Sequence, residues 1–123
     1  MEVWELIKRL LAGATGGNQS FMPGLIGGLY YRDLLNAGRQ VNQSFVDVSD
    51  VAELFGDQML EAGLIRPAGV RGGGIAILEA MERTEFGEEL YRALGRRDVV
   101  TLFEGGDVQV DAEAIRKFLL QVN

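Results

Sequence analysis

The chain of 123 residues contains no cysteine and no histidine. Disulfides, thiolate nucleophiles, Cys/His metal sites and every catalytic triad that uses histidine are thereby excluded. Basic residues are in deficit, with 12 Lys and Arg against 18 Asp and Glu, for a net charge of −6. Such a balance disfavours non-specific attraction to phosphate backbones or anionic membranes unless a local basic patch overrides it. Long uncharged apolar runs are missing as well. The longest, Phe21 to Tyr31, is far shorter than the roughly 20 residues a membrane-spanning helix needs, and it holds Pro23, Gly24, Gly27 and Gly28. The first residues, Met1-Glu2-Val3-Trp4-Glu5, are acidic where an export signal would be basic. The expectation is a cytoplasmic chain with no membrane segment, no metal and no cofactor.

What remains suits one compact domain: 47% of the residues are apolar and 24% charged, enough for a single core. Val3, Trp4, Ile7, Leu10 and Leu11 recur at helical spacing and predict a first helix over about residues 2–12, ended by Gly13. Ser20 is placed to cap a second helix over about 20–37 that tolerates Pro23 in its first turn and stops at Gly38. Gln40 to Val48 lacks helical periodicity and reads as an irregular or short extended link. Ser49 or Asp50 then caps a third helix over about 49–62, with Val51, Leu54, Phe55, Met59 and Ala62 on its inner face. Leu64-Ile65 starts a hairpin over about 64–83 with a glycine-rich tip, although Ala76 to Glu82 are mostly good helix formers. Thr84 caps a fourth helix over about 84–95. Val99 to Val110 suggest a small hairpin turning at Glu104-Gly105-Gly106-Asp107, and Asp111 caps a terminal helix over about 111–122. In that helix Ile115, Phe118, Leu119 and Val122 form an apolar stripe, with Leu120 off it.

One internal echo stands out. Asn18-Gln19-Ser20-Phe21 returns as Asn42-Gln43-Ser44-Phe45, and Leu34-Leu35-Asn36-Ala37-Gly38 resembles Met59-Leu60-Glu61-Ala62-Gly63. With one inserted residue, Leu29 aligns with Leu54 and Tyr30 with Phe55. The echo reads either as a duplicated loop-helix unit packed about a local pseudo-symmetry or as chance within a small alphabet. Gly24 and Gly28 permit close approach of another backbone, within the fold in the simplest reading.

Leu60-Glu61-Ala62-Gly63-Leu64-Ile65-Arg66, a Gly/Arg-containing tip, and Arg83-Thr84-Glu85-Phe86-Gly87-Glu88-Glu89-Leu90-Tyr91 resemble the winged-helix superfamily, especially MarR-type and PadR-type regulators. The resemblance covers about residues 49–95 and departs from the pattern at Arg83, where the family usually has an apolar residue. It implies a single α+β, mostly helical, winged-helix-like domain with a β-hairpin wing and a C-terminal helix. It also implies a helix-turn-helix of the second and third helices, with the third in the major groove and the wing beside the backbone.

The third helix is chemically unsuited to that groove. With Val51 central to the buried face, Asp50, Glu53, Gly56, Asp57, Leu60 and Glu61 face outward. Four carboxylates with no cation repel a duplex, whereas base edges and phosphates call for Arg, Lys, Asn and Gln. Leu60 amid this face suits a pocket on a protein partner, or is one of many singly exposed apolar residues. The favoured expectation is a non-enzymatic protein-interaction module, or adaptor subunit, using Asp50, Glu53, Asp57, Leu60 and Glu61 together with the terminal helix. Its partner would be another protein subunit or a second copy of itself, as a homodimer. The alternative is a dimeric DNA-binding regulator, with Arg66 and Arg71 as phosphate contacts on the wing.

Gly13 to Ser20 lacks the lysine of a phosphate loop, and Gly72-Gly73-Gly74 lacks the dinucleotide fingerprint. The run Glu79, Glu82, Glu85, Glu88 and Glu89 has no partner base beside it and reads as a solvated face. No catalytic constellation emerges.

Overall fold

A computed structural model describes residues 1–16, 19–68 and 80–122. In chain order these form α1 (Val3–Gly13), α2 (Pro23–Asn36), α3 (Phe45–Glu61), β1 (Ile65–Pro67), β2 (Met81–Arg83), α4 (Glu85–Leu94), α5 (Arg97–Gly105) and α6 (Ala112–Val122). The expected α+β, mostly helical class with one antiparallel strand pair and a C-terminal helix is what the described residues adopt.

The core is organised around α1. Leu6, Ile7, Leu10 and Leu11 are completely buried, and the helix touches α2, α3, α4 and α5. Helical spacing selects Val3, Trp4, Ile7, Leu10 and Leu11; Val3 is only partly buried, and Leu6 joins the others because neighbours surround α1 on more than one side. Trp4 packs edge-on against Phe103 of α5 with ring centroids 4.8 Å apart, and Phe103 packs edge-on against Phe118 of α6 at 4.7 Å. This aromatic chain, stabilised by burial and by favourable edge-to-face geometry, fastens the last two helices to the first.

That chain explains the main correction to the sequence reading. The expected hairpin over 99–110 is absent: Val99 to Phe103 lie inside α5, and Glu104 to Asp107 form its end and the turn beyond. The β-branched pair Val99-Val100 favours a strand locally. In a helix, however, Val99, Val100 and Phe103 fall on one face and all three are buried, so tertiary packing overrides propensity.

The third helix begins earlier than Ser49 or Asp50. Ser44 is its cap: the Ser44 hydroxyl accepts from the Asp47 N–H at 3.1 Å while the Asp47 carboxylate accepts from the Ser44 N–H at 3.3 Å. This reciprocal box satisfies two otherwise free donors, so the irregular link shrinks to the residues before Ser44. In α2 the cap position belongs to Met22, and Ser20 lies outside the helix. The ends of both helices match expectation. Gly38 and Gly63 adopt left-handed φ values of 74° and 77°. Arg39 N–H donates to Leu34 O at 3.0 Å, and Leu64 N–H to Met59 O at 2.9 Å. These are the same glycine-dependent stop used twice.

Beyond Gly63, β1 pairs with β2 in the register Ile65 to Arg83, Arg66 to Glu82 and Pro67 to Met81. Of the expected second wing strand over 75–83, residues 81–83 are strand; the tip and residues 75–79 lie outside the described residues. A third segment completes the edge: Thr15 bridges Glu82, Gly16 N–H donates to Met81 O at 2.8 Å, and Arg83 N–H donates to Ala14 O at 3.1 Å. Arg83 itself is a tether. Its guanidinium donates to Leu11 O at 2.7 Å and to the Glu88 carboxylate at 2.6 Å, and lies 4.4 Å from the Tyr91 ring centroid. A cation at the carbonyl end of α1 is favourable, which accounts for Arg at the end of β2. Thr84 caps α4 as expected, accepting from Gly87 N–H at 3.0 Å and donating to Gly63 O at 2.6 Å.

Candidate protein-interaction surface on α3

The packing of α3 is dominated by α2, with α1 and β1 as lesser neighbours. Val48, Ala52, Gly56 and Met59 are its buried residues, so the inner arc is centred near Ala52, one residue from the expected Val51. Leu54, assigned inward from sequence, is 53% exposed, and Gly56, assigned outward, lies against the Pro23 ring. The cause is α2, which widens the buried arc on the Gly56 side and leaves Leu54 beyond its opposite edge.

The α2 and α3 helices meet along a seam of small residues. A methyl at Gly27 would lie 2.7 Å from the Ala52 methyl, one at Gly24 would lie 2.9 Å from the Glu53 carboxylate, and one at Gly28 would lie 2.7 Å from the Phe45 ring. The Ser49 hydroxyl donates to Gly24 O at 3.1 Å. Contacts retreat along α3 as they advance along α2, so the helices run antiparallel. A shift of 25 positions, the offset that aligns Leu29 with Leu54, exchanges the pair Gly24–Glu53 with Gly28–Ser49 and maps Gly27–Ala52 onto itself. Exposure follows the same offset: Leu34 and Met59 are buried, while Leu35 and Leu60 are exposed. The internal echo thus coincides with a local two-fold arrangement, although the helix starts at Met22 and Ser44 differ.

On the outer side, Asp50, Glu53, Asp57, Leu60 and Glu61 are all exposed, as expected. Asp50, Glu53, Asp57 and Glu61 follow one another at i+3 or i+4 and form a continuous stripe. Among the described residues none of the four makes an ion pair. Leu60 is 41% exposed and lies on the rim of a groove of about 360 Å³, with Glu53, Asp57, Pro23, Ile65 and Met81 around it. It is therefore joined to a concavity between α2, α3 and the strands.

The remaining expected site residues separate from this surface. Arg66 is exposed on β1 and pairs with Glu82 on β2 at 3.3 Å; Arg71 lies outside the described residues. Comparison with protein-family models, curated proteins and solved structures finds no match to the chain. In α6 the stripe is used within the fold: Ile115 and Leu119 are buried, Phe118 and Val122 are partly buried, and Leu120 alone of these apolar residues points outward, 81% exposed. Arg116 stacks over Phe86 at 4.4 Å. Among the described residues no helix is long and apolar enough to cross a membrane.

Sequence reasoning missed the outer face of α2. Leu25, Leu29 and Leu35 are exposed there, beside Phe45 at the start of α3. The signal was present: Leu25 and Leu29 are four apart, on the side opposite the buried Tyr30 and Leu34. An all-apolar reading of Phe21 to Tyr31 concealed that only one side of that segment reaches the core.

The strongest electrostatic perturbations lie away from α3. The Arg9 guanidinium, 2.8 Å away, lowers the Asp33 pKa, and Arg83 lowers that of Glu88. Burial raises Glu104 in spite of the N–H donated by Trp4, and burial likewise raises Tyr30. These groups clasp α1 to its neighbours and belong to the framework behind the outer α3 surface.

Proposed function

We propose that the chain is a non-enzymatic protein-interaction module of winged-helix-like build, an adaptor subunit that docks a partner protein on the outer face of α3 around Leu60. The observation that carries this reading is the exposed stripe Asp50, Glu53, Asp57 and Glu61, without an ion pair among the described residues and bordering the Leu60 groove. Like charges four apart cost a helix roughly 0.2–0.5 kcal/mol per pair. A cationic rim on a partner would offset that cost, and the Leu60 groove would supply the desolvated anchor that protein interfaces favour. The order α2, α3, strand pair, α4, with Thr84 capping α4, supports the winged-helix-like part of the reading, while the antiparallel α2–α3 pair departs from the helix-turn-helix that the resemblance implies. The terminal helix, which packs on α4 and α5, offers a second contact through the exposed Leu120 and Lys117.

Two observations weigh against the DNA-regulator alternative. Residues 37–44 separate α2 from α3, and the pair runs antiparallel along its glycine seam. A DNA-reading helix-turn-helix crosses its helices at roughly 90–120° after a turn of about 3–4 residues. Arg66 also spends its charge on Glu82. An electrophoretic shift across a salt series distinguishes the readings: a regulator loses specific binding steeply as salt rises, whereas the module proposed here retards no DNA specifically. Leu60→Asp leaves the circular dichroism spectrum unchanged and abolishes co-purification of the partner; unchanged co-purification overturns the proposal.

A further inference from the structure

The α2 face carries a separate apolar surface. Leu25, Leu29, Leu35, Tyr31 and Phe45 line a shallow groove of about 380 Å³, with Arg32 at its edge. Leu25, Leu35 and Phe45 each leave about half of their surface exposed, and Leu29 leaves 40%. A contiguous apolar surface of this kind marks an interaction site more often than scattered single residues do. From Leu25 to Leu35 the helix rises about 15 Å, so the strip has the length of roughly three helical turns. It also has a charged border. The Glu53 carboxylate lies against Gly24, next to Leu25, and Asp50 and Asp57 continue the acidic stripe on the adjoining helix.

We infer that the α2 groove docks an amphipathic helix of a partner protein, one whose apolar stripe lies on Leu25, Leu29 and Phe45 and whose Lys or Arg flank faces the α3 carboxylates. The inference extends the proposed function to a second face and to a partner chemistry; it shares with that reading only the α3 carboxylates, which have no ion pair among the described residues. Apolar anchors at i, i+3, i+4 and i+7 are the means by which a helix fills such a groove. Charge complementarity selects a basic helix over a second copy of this chain. A copy brings its own net charge of −6 and its own acidic stripe to the contact, whereas a Lys/Arg flank neutralises the stripe already there.

The probe is a fluorescein-labelled peptide of about 18 residues with Leu at the helical anchor positions and Lys elsewhere. Its counterpart carries Glu in place of Lys. Anisotropy titrations are run with the wild-type chain, Leu29→Asp, Leu25→Asp and Leu60→Asp, each checked for an unchanged circular dichroism spectrum. Expected is binding of the Leu/Lys peptide at least roughly tenfold tighter than the Leu/Glu peptide, the equivalent of about 1.4 kcal/mol. Either α2 substitution weakens it by a similar factor, although each adds a negative charge. Leu60→Asp, which adds a charge but removes no contact in the α2 groove, does not weaken it, so loss of the α3 groove and loss of the α2 groove are separately visible. Equal or tighter binding by both Leu29→Asp and Leu25→Asp reduces the effect to bulk charge and overturns the inference. So does equal affinity for the two peptides. A wild-type dimer in sedimentation equilibrium that Leu29→Asp dissociates assigns the face to a second copy and overturns it as well.

Discussion

The α1–α4–α5–α6 side of the molecule and the α2–α3 pair are held together by different means. On the first side large side chains interlock: Trp4, Phe103 and Phe118 form an edge-to-face chain, and Leu90, Leu94 and Ile115 are completely buried. Charges there are spent internally, as in Arg83 on Glu88 and Arg97 on Glu2. In the α2–α3 pair the centre of the contact is made of glycine, alanine and serine, with Phe45 and Pro23 closing its ends against glycines; the large apolar side chains Leu25, Leu29, Leu54 and Leu60 stay outside, and the α3 carboxylates have no counter-charge among the described residues. Seam residues without bulk let two backbones approach while freeing their larger neighbours for solvent. One side maximises cohesion; the other keeps a stable helix pair whose outer faces remain available.

This contrast is open to direct attack. The largest effect is expected for Trp4→Ala, which removes a ring that is 2% exposed and breaks the aromatic chain; a loss of about 3–5 kcal/mol in urea unfolding is expected. Gly27→Ala crowds the Ala52 methyl and Val48 O and costs about 1–3 kcal/mol. The reciprocal double variant Gly27→Ala with Ala52→Gly restores part of it, because the Ala52 methyl is gone while the Val48 O contact remains. If the single variant is as stable as wild type, the close-packed seam is wrong.

A third test concerns pH. The hydrogen bond and charge of Arg83 lower the Glu88 pKa below its ordinary value of 4.5, so ionised Glu88 supports the fold above that value and its contribution disappears as pH falls through the lowered one. Glu88→Gln is therefore less stable than wild type near neutral pH, and the gap closes in acid. A gap that does not change with pH would remove the role given to this pair. The smallest effect belongs to Asp57→Asn, which relieves repulsion from Glu53 and Glu61 and raises stability slightly at low salt. High salt abolishes the gain in a thermal-unfolding series.

Much of this architecture is legible in residue order because local chemistry and tertiary packing agree there. Thr84 before an acidic first turn, Gly38 and Gly63 after apolar helices, and the stripe of α6 each specify one outcome. Where the two disagree, packing wins: Val99-Val100 become helical because Phe103 must reach Trp4. The start of α3 was readable in Ser44-Phe45-Val46-Asp47, a capping box obscured by the apolar Phe45 and Val46 that follow the serine yet remain exposed. Of the candidate surface, the acidic stripe and Leu60 could be located from helical phase alone. The α2 face could not, since its outline depends on where α3 lands on the glycine seam beside it.

The match of Gly27 to Ala52 has a consequence for how this helix pair can change over generations. A residue on the axis of the exchange faces its own counterpart, so added volume on one helix must be given up on the other. Positions to either side are joined across the axis, Gly24 to Glu53 and Gly28 to Ser49. Drift at the seam is thus constrained to compensated steps, while Leu25, Leu29 and Leu60, outside the seam, are free to vary with whatever they meet.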